Sequence, residues 1–291
     1  MIPGGPAARG FILLQRLLPQ HTLSRLIHAL ARVRLRGFKN ALIGAFVRAF
    51  RPVMSEARQP DPLAYDSFNS FFTRELAPGV RAMPPDPHSV ASPVDGTISQ
   101  IGYLDGQSIL QAKGRHYTLA ALLGGGPAET AEFAGGAFAT LYLAPYNYHR
   151  IHMPRGGRLR TTRHVPGQLF SVNAVTAAGV DGLFARNERV VCIWDDSPPF
   201  AMVLVGALFV GSISTVWHGQ ITPPTRREAR DLPPLCGPGA QRARGEQMGW
   251  FNMGSTVIVL FPKDRVQWLA GLAAGMPIRV GQALGQLQQP R

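Results

Sequence analysis

The first 55 residues contain no aspartate or glutamate, and the whole chain has only two cysteines. Cys192 and Cys236 cannot build a disulfide framework and, with no CxxC present, read as two reduced thiols. HExxH is missing, and no cysteine stands near the paired histidines described below, which argues against a zinc site. GxSxG is missing too, which removes the usual nucleophile elbow of a serine hydrolase. No secretory signal is expected, because the apolar run Phe11–Leu14 is too short for an h-region and Arg16 interrupts it. Between Ser197 and Thr225 there is no Lys, Arg, Asp or Glu, a gap that raises the question of a membrane span. Gly206, Gly211 and the period-two alternation of SISTVW favour two buried strands joined by a bend near Gly206 instead.

The missing acids leave Arg9, Arg16, Arg25, Arg32, Arg34, Arg36, Lys39, Arg48 and Arg51 unopposed in the N-terminal segment, against a net charge of +13 for the whole chain. Such asymmetry points to an anionic partner, either nucleic acid or membrane headgroups. Leu23, Leu26, Ile27, Leu30 and Val33 share one helical face, with Arg25, Arg32 and Arg36 largely off it and Gly37 as the expected end. Phe38 to Phe50 repeats the pattern with Leu42, Ile43, Phe46, Val47 and Phe50. Leucines at helical spacing, rather than exposed aromatics among the cations, disfavour nucleic acid. Two readings of these helices stay open: they lie in a membrane interface, or they pack on a core with a basic outer face.

Asp61 before Pro62 predicts an N-cap, with a helix running to about Leu76. From Val90 onward, short apolar segments alternate with glycine turns, which implies a β-rich domain. The fold class expected is α+β: N-terminal amphipathic helices over residues 1–58, then a sandwich-like or barrel-like catalytic core over 59–291. Residues 219–249, poor in strand signals, read as a disordered insert or a loop beside a site.

Three stretches carry polar residues in apolar or turn-like settings. SPVDGTIS places Asp95 before Gly96, which alone is a turn signal. YNYHRIHMP places His149 and His152 three apart, which alone suits a structural pair. FNMGSTVIVLFP places Ser255 and Thr256 at the mouth of an apolar strand. Together they permit a nucleophile, a base and an orienting carboxylate. Gly254 before Ser255 offers an unhindered carbonyl, as a serine attacking its own preceding peptide bond would need.

These motifs, with FFTREL, GQLFSVN, LFARNERVV, VGSISTVW and RGEQMGWFNMGSTVI, resemble the phosphatidylserine decarboxylase family over residues 60–285. The family's Leu-Gly-Ser-Thr stands here as Met253-Gly254-Ser255-Thr256, a change that keeps volume. The resemblance implies that His152, oriented by Asp95, deprotonates Ser255, whose Oγ attacks the Gly254 carbonyl. The chain then splits into 1–254 and 255–291, two fragments that stay partners, and Ser255 becomes a pyruvoyl group. That group would form a Schiff base with phosphatidylserine, release CO2 and leave phosphatidylethanolamine, with His149 returning the proton. Ser171 is a further candidate contact for the substrate's carboxylate or phosphate. A peripheral place on the cytoplasmic face of the cell membrane is expected, with an anionic lipid surface as partner; no metal is expected, and a homodimer is compatible with the sequence. The competing readings are an uncleaved serine hydrolase acting on lipid esters and a non-catalytic membrane-binding protein.

Overall fold

A computed structural model describes residues 5–208, 212–222, 228–252 and 255–289. Three helices open the chain: α1 (Pro6–Leu17), α2 (Gln20–Leu30) and α3 (Arg36–Phe50). Pro6 stands in the first turn of α1, where its missing N–H costs nothing, and Arg51 in the left-handed region closes α3. The second helix thus ends before the expected Gly37, which instead lies in the first turn of α3.

The polar faces of α1 and α2 point inward. Gln15 and Ser24 are 1% exposed, whereas Leu13, Leu14, Leu17 and Leu26 are 57%, 55%, 75% and 55% exposed. The inward glutamines are bonded to the loop 167–173. Gln15 Oε1 accepts from Ser171 N at 2.7 Å, and Gln20 Oε1 accepts from Leu169 N at 2.7 Å. A buried amide with both partners satisfied is a fixed docking point.

The expected helix from Asp61 to Leu76 breaks into two pieces. Asp61 does cap a turn, accepting from Leu63 N, but that turn is a three-residue 3-10 segment, Pro62–Ala64. Ser67 then starts α4 (Phe68–Phe72) with a reciprocal capping box to Ser70. Two competing caps so close together leave α4 five residues long. Its Phe68, Phe71 and Phe72 join Ala31 and Ile43 in a small core of their own, with the Phe46 ring edge-on to all three.

The catalytic-scale body is β-rich, as expected, and the chain as a whole is α+β. Its main antiparallel sheet runs, in spatial order, through 230–231, 157–165, 189–195, 200–205, 255–261, 137–143, 96–103 and 277–278. Among the described residues this path has two ends, which makes it an open sheet. One face packs on two smaller sheets through Leu141, Leu204, Val257, Ile151, Ile213 and Phe251. The other face packs on short helices through Phe138, Val203, Ile258, Leu122 and Phe184. Burial on both faces explains why VVCIW, FAMVLV and STVIVLF are continuous apolar runs without alternation.

The uncharged stretch after Ser197 forms strand Phe200–Val205 and strand Ile213–Thr215, with Gly206 after the first. No helix among the described residues is long and apolar enough to cross a membrane. Within 219–249, the described residues add short edge strands: Arg230–Asp231 pairs with 163–164, and Gln241–Arg242 with 157–158.

Candidate active site

Ser255 is the first residue of strand Ser255–Phe261, at the centre of the main sheet. It pairs with Leu143, and the next residue, Thr256, pairs with both Tyr142 and Val205. The serine is 0% exposed, and its Oγ has no hydrogen-bond partner among the described residues. Leaving a buried hydroxyl unpaired costs about 1–3 kcal/mol, so the fold holds this group against its own preference. Gly254, the other half of the expected cleavage site, and Met253 lie outside the described residues.

His149 stands at the same end of the sheet. Its Nε2–H donates at 3.2 Å to the carbonyl of Ala144, the residue after Ser255's partner Leu143. Because a carbonyl can only accept, the neutral ring has its lone pair on Nδ1, and that atom is buried without a partner among the described residues. The ring stacks on Phe72 with 4.2 Å between centroids. Burial, helped by the nearby Arg74 cation, depresses its pKa to about 3, so it is uncharged at neutral pH. Arg74 itself is 3% exposed. It donates to the Tyr146 and Asn147 carbonyls at 3.2 and 3.3 Å, and its Nε and Nη1 have no partner.

His152 is held differently from the sequence-based expectation. Its Nδ1–H donates to Gly245 O at 2.8 Å, and its Nε2 accepts from Tyr148 OH at 2.9 Å. Asp95 is not its hydrogen-bond partner. The Asp95 oxygens are taken by Arg81, at 3.0 and 2.5 Å, and by Val280 N at 2.8 Å. A bidentate guanidinium outcompetes an imidazole for a carboxylate. Burial, with the charges of Arg150 and Arg81, lowers the pKa of His152, opposed by its bond to Gly245 and by the charge of Asp95. Burial also raises the pKa of Tyr148, which stays a phenol able to donate to His152.

The Asp95-Gly96 pair is more than a turn signal. A Cβ on Gly96 would lie 2.3 Å from the Tyr142 carbonyl oxygen, so only glycine lets this strand approach the one that pairs with Ser255. Arg81, Tyr148 and Asn252 went unnoticed in the sequence. Asn252 is 4% exposed and its Nδ2 donates to Ser212 Oγ at 2.7 Å and Ser214 Oγ at 3.3 Å, tying VGSISTVW to the stretch before the serine. Asn187 does the same for LFARNERVV and GQLFSVN, bonding both Phe170 N and Phe170 O. Tyr148 sat four residues from His152 inside YNYHRIHMP, and an aromatic flanking two histidines was the available signal.

Beside these groups opens an apolar cavity of about 680 Å³, lined among others by Leu30, Phe46, Phe72, Leu143, Ser171 and Ala207. Ser171 thus borders the cavity, although its Oγ is shared with Thr176 Oγ1 at 2.6 Å. No group of three His, Cys, Asp or Glu side chains able to hold a metal occurs among the described residues.

The family model for phosphatidylserine decarboxylase matches residues 68–286, which include Asp95, both histidines and Ser255. The chain belongs to the phosphatidylserine decarboxylase family. A second family model, described as PSD, matches residues 11–51, the region of the N-terminal helices. The phosphatidylserine decarboxylase proenzyme of Methylococcus capsulatus is 50% identical over 276 residues, covering 94% of this chain and 96% of the relative. Those of Pseudomonas fluorescens and Nitrosococcus oceani are each 51% identical, covering 95% and 94% of this chain and 97% and 90% of their own. The strand that begins at Ser255 lies within the matched region.

Proposed function

We propose that the chain is made as a proenzyme, cuts itself between Gly254 and Ser255, and then decarboxylates phosphatidylserine to phosphatidylethanolamine and CO2. The observation that carries this reading is the Ser255 Oγ: fully buried, without a partner among the described residues, and one residue beyond a glycine. In the cut, the Ser255 proton passes to His152, and Oγ adds to the Gly254 carbonyl carbon. The peptide nitrogen leaves that carbon and takes a proton, so an ester replaces the amide. Elimination across the serine Cα–Cβ bond releases residues 1–254 as a carboxylate. Water then replaces the nitrogen as ammonia, which leaves a ketone at the start of 255–291.

The surroundings fit such a pyruvoyl group: an unpartnered Nδ1 on a neutral imidazole and an apolar cavity lie at this end of the sheet. When formed, it supplies an electrophilic carbonyl for the lipid's amine and a place for the electron pair that departing CO2 leaves behind. His149 Nδ1, which holds a lone pair at rest, is suited to take a proton from the lipid's ammonium group and return it to the reacting carbon after CO2 leaves, worth about 10²- to 10⁴-fold in rate. The apolar walls exclude water and favour loss of a charged carboxylate as a neutral gas. Ser171, at the cavity wall, is suited to a polar contact with the headgroup.

The outward leucines of α1 and α2 support a peripheral place on a membrane, since an apolar face backed by cations suits a headgroup boundary. The cytoplasmic face is part of the same proposal. A denaturing gel with intact-mass measurement tests the whole. The expected result is two fragments, 1–254 and 255–291, the smaller lacking a free amino terminus, and neither formed by Ser255→Ala. An intact chain that hydrolyses lipid esters would replace this reading with the hydrolase, and an intact inert chain with a binding protein.

A further inference from the structure

A second cavity, of about 390 Å³, lies on the other side of α4 from the apolar one, and most of the residues that line it are polar or charged. The two cavities share the short helix as a partition: Phe68 and Phe72 face the apolar side, while Asn69, Ser70 and Thr73 face this one. Three guanidinium groups line it, those of Arg32, Arg34 and Arg150, together with the Trp250 ring.

Charge is poorly matched here. Arg150 is paired with Glu75 at 3.0 Å and also donates to Thr73 O and Gln247 Oε1. Among the described residues Arg32 has only neutral acceptors, His28 O at 3.2 Å and Gln220 Oε1 at 3.3 Å. Arg34 and Arg32 have no carboxylate within ion-pair distance among the described residues. One acid against three cations leaves a net positive cavity, and forked guanidinium groups match the oxygens of a phosphate.

The setting narrows the ligand. Both unpaired arginines lie in the turn between α2 and α3, and Leu30, Leu35 and Phe38 around that turn are 40%, 73% and 42% exposed. Arg150 also lies over the Trp250 ring, 6.0 Å from its centroid. A cationic cavity bordered by outward apolar residues suits a molecule with an anionic head and apolar tails.

We propose that this cavity binds a phosphate group, that of a phospholipid headgroup, at a site separate from Ser255. Arg32 and Arg34 take the phosphate oxygens, Arg150 and Trp250 form the inner wall, and the acyl chains lie along Leu35, next to Leu30 and Phe38, which also line the apolar cavity. The lipid source rests on the membrane placement proposed above; the phosphate chemistry does not. Such a site would hold α2 and α3 at one depth and angle on the bilayer, with the apolar cavity opening beside a neighbouring lipid.

The test uses the full chain in two arms, with the double variant Arg32→Gln/Arg34→Gln set against a control of equal charge loss, Arg9→Gln/Arg25→Gln. In the first arm, binding to phosphatidylcholine vesicles is measured with and without phosphatidylglycerol. A built site predicts that the pocket variant loses at least about tenfold more affinity than the control, because diffuse attraction weakens both alike. In the second arm, inorganic phosphate is titrated into detergent-solubilised protein without vesicles. Phosphate binding lost in the pocket variant, with no extra loss on vesicles, would assign the site to a free phosphate. Equal losses in both variants, with no phosphate binding to the parent, would overturn the proposal. A parent chain that binds no vesicle of either composition would overturn the membrane placement and leave the phosphate arm to decide the cavity.

Discussion

Arg81 clasps Asp95 through both carboxylate oxygens, at 3.0 and 2.5 Å, and the same guanidinium also meets Glu56 at 2.6 Å. Both side chains of the first pair are only 10% exposed. Breaking a buried pair from one side strands the other charge, which typically costs about 3–5 kcal/mol. We expect Arg81→Gln, in a Ser255→Ala background that keeps the chain in one piece, to lose about 3 kcal/mol in urea unfolding. Arg81→Lys should recover only part of this, because an ammonium cannot serve both oxygens. A loss below about 1 kcal/mol would mean that Val280 N alone suffices to hold Asp95.

The histidines should separate by function. His152→Ala is expected to stop self-cleavage, leaving the full chain on a denaturing gel. His149→Ala should leave cleavage largely intact and lower turnover by about 10²- to 10⁴-fold. The unpartnered Nδ1 of His149 makes the reverse assignment the sharpest rival, and cleavage lost in His149→Ala but kept in His152→Ala would establish it.

Acid should weaken the fold through His149. Its pKa falls from 6.5 to about 3 on folding, by burial first and then by the Arg74 charge. Between those values the unfolded chain takes up a proton that the folded chain refuses, so stability drops as pH is lowered across this window and is unaffected above it. In the Ser255→Ala background, His149→Gln should lose on the order of 2–3 kcal/mol less than its parent between pH 6.5 and 4. Arg74→Gln should move the same titration upward, visible in the imidazole signals by NMR. An unchanged titration in that variant would remove Arg74 as a cause.

The N-terminal helices offer a paired contrast. Gln15→Ala removes the acceptor of Ser171 N and should cost about 1–3 kcal/mol, with faster hydrogen exchange at Ser171. Leu14→Gln changes a side chain that is 55% exposed and should alter stability by less than about 0.5 kcal/mol. The same leucine variant should bind lipid vesicles more weakly. Stability losses in the opposite order would show that the leucines, not the glutamines, dock on the protein.

Much of this was readable in the sequence, and the failures have particular causes. STVIVLF read correctly as a strand because seven buried residues in a row leave little else. Asp95, His149, His152 and Ser255 were singled out through motif resemblance, but the groups that hold them were not. Arg81 lies 14 residues from Asp95, and Gly245 lies 93 from His152, distances that no local pattern encodes. The leucine stripes gave the helices but not their orientation, since periodicity reports that a face exists without saying whether protein or solvent meets it. Asp61 was a true cap on the wrong element, because a second cap at Ser67 restarted the chain.

The position of strand 255–261 has a mechanical consequence. It is laced by backbone hydrogen bonds to 137–143 on one side and 200–205 on the other, while 266–268 and 283–287 weave into a separate sheet with 89–91. Scission of the backbone just ahead of Ser255 therefore frees an end without freeing a piece. The short segment is stitched into two layers at once, and its loss would require both to come undone together.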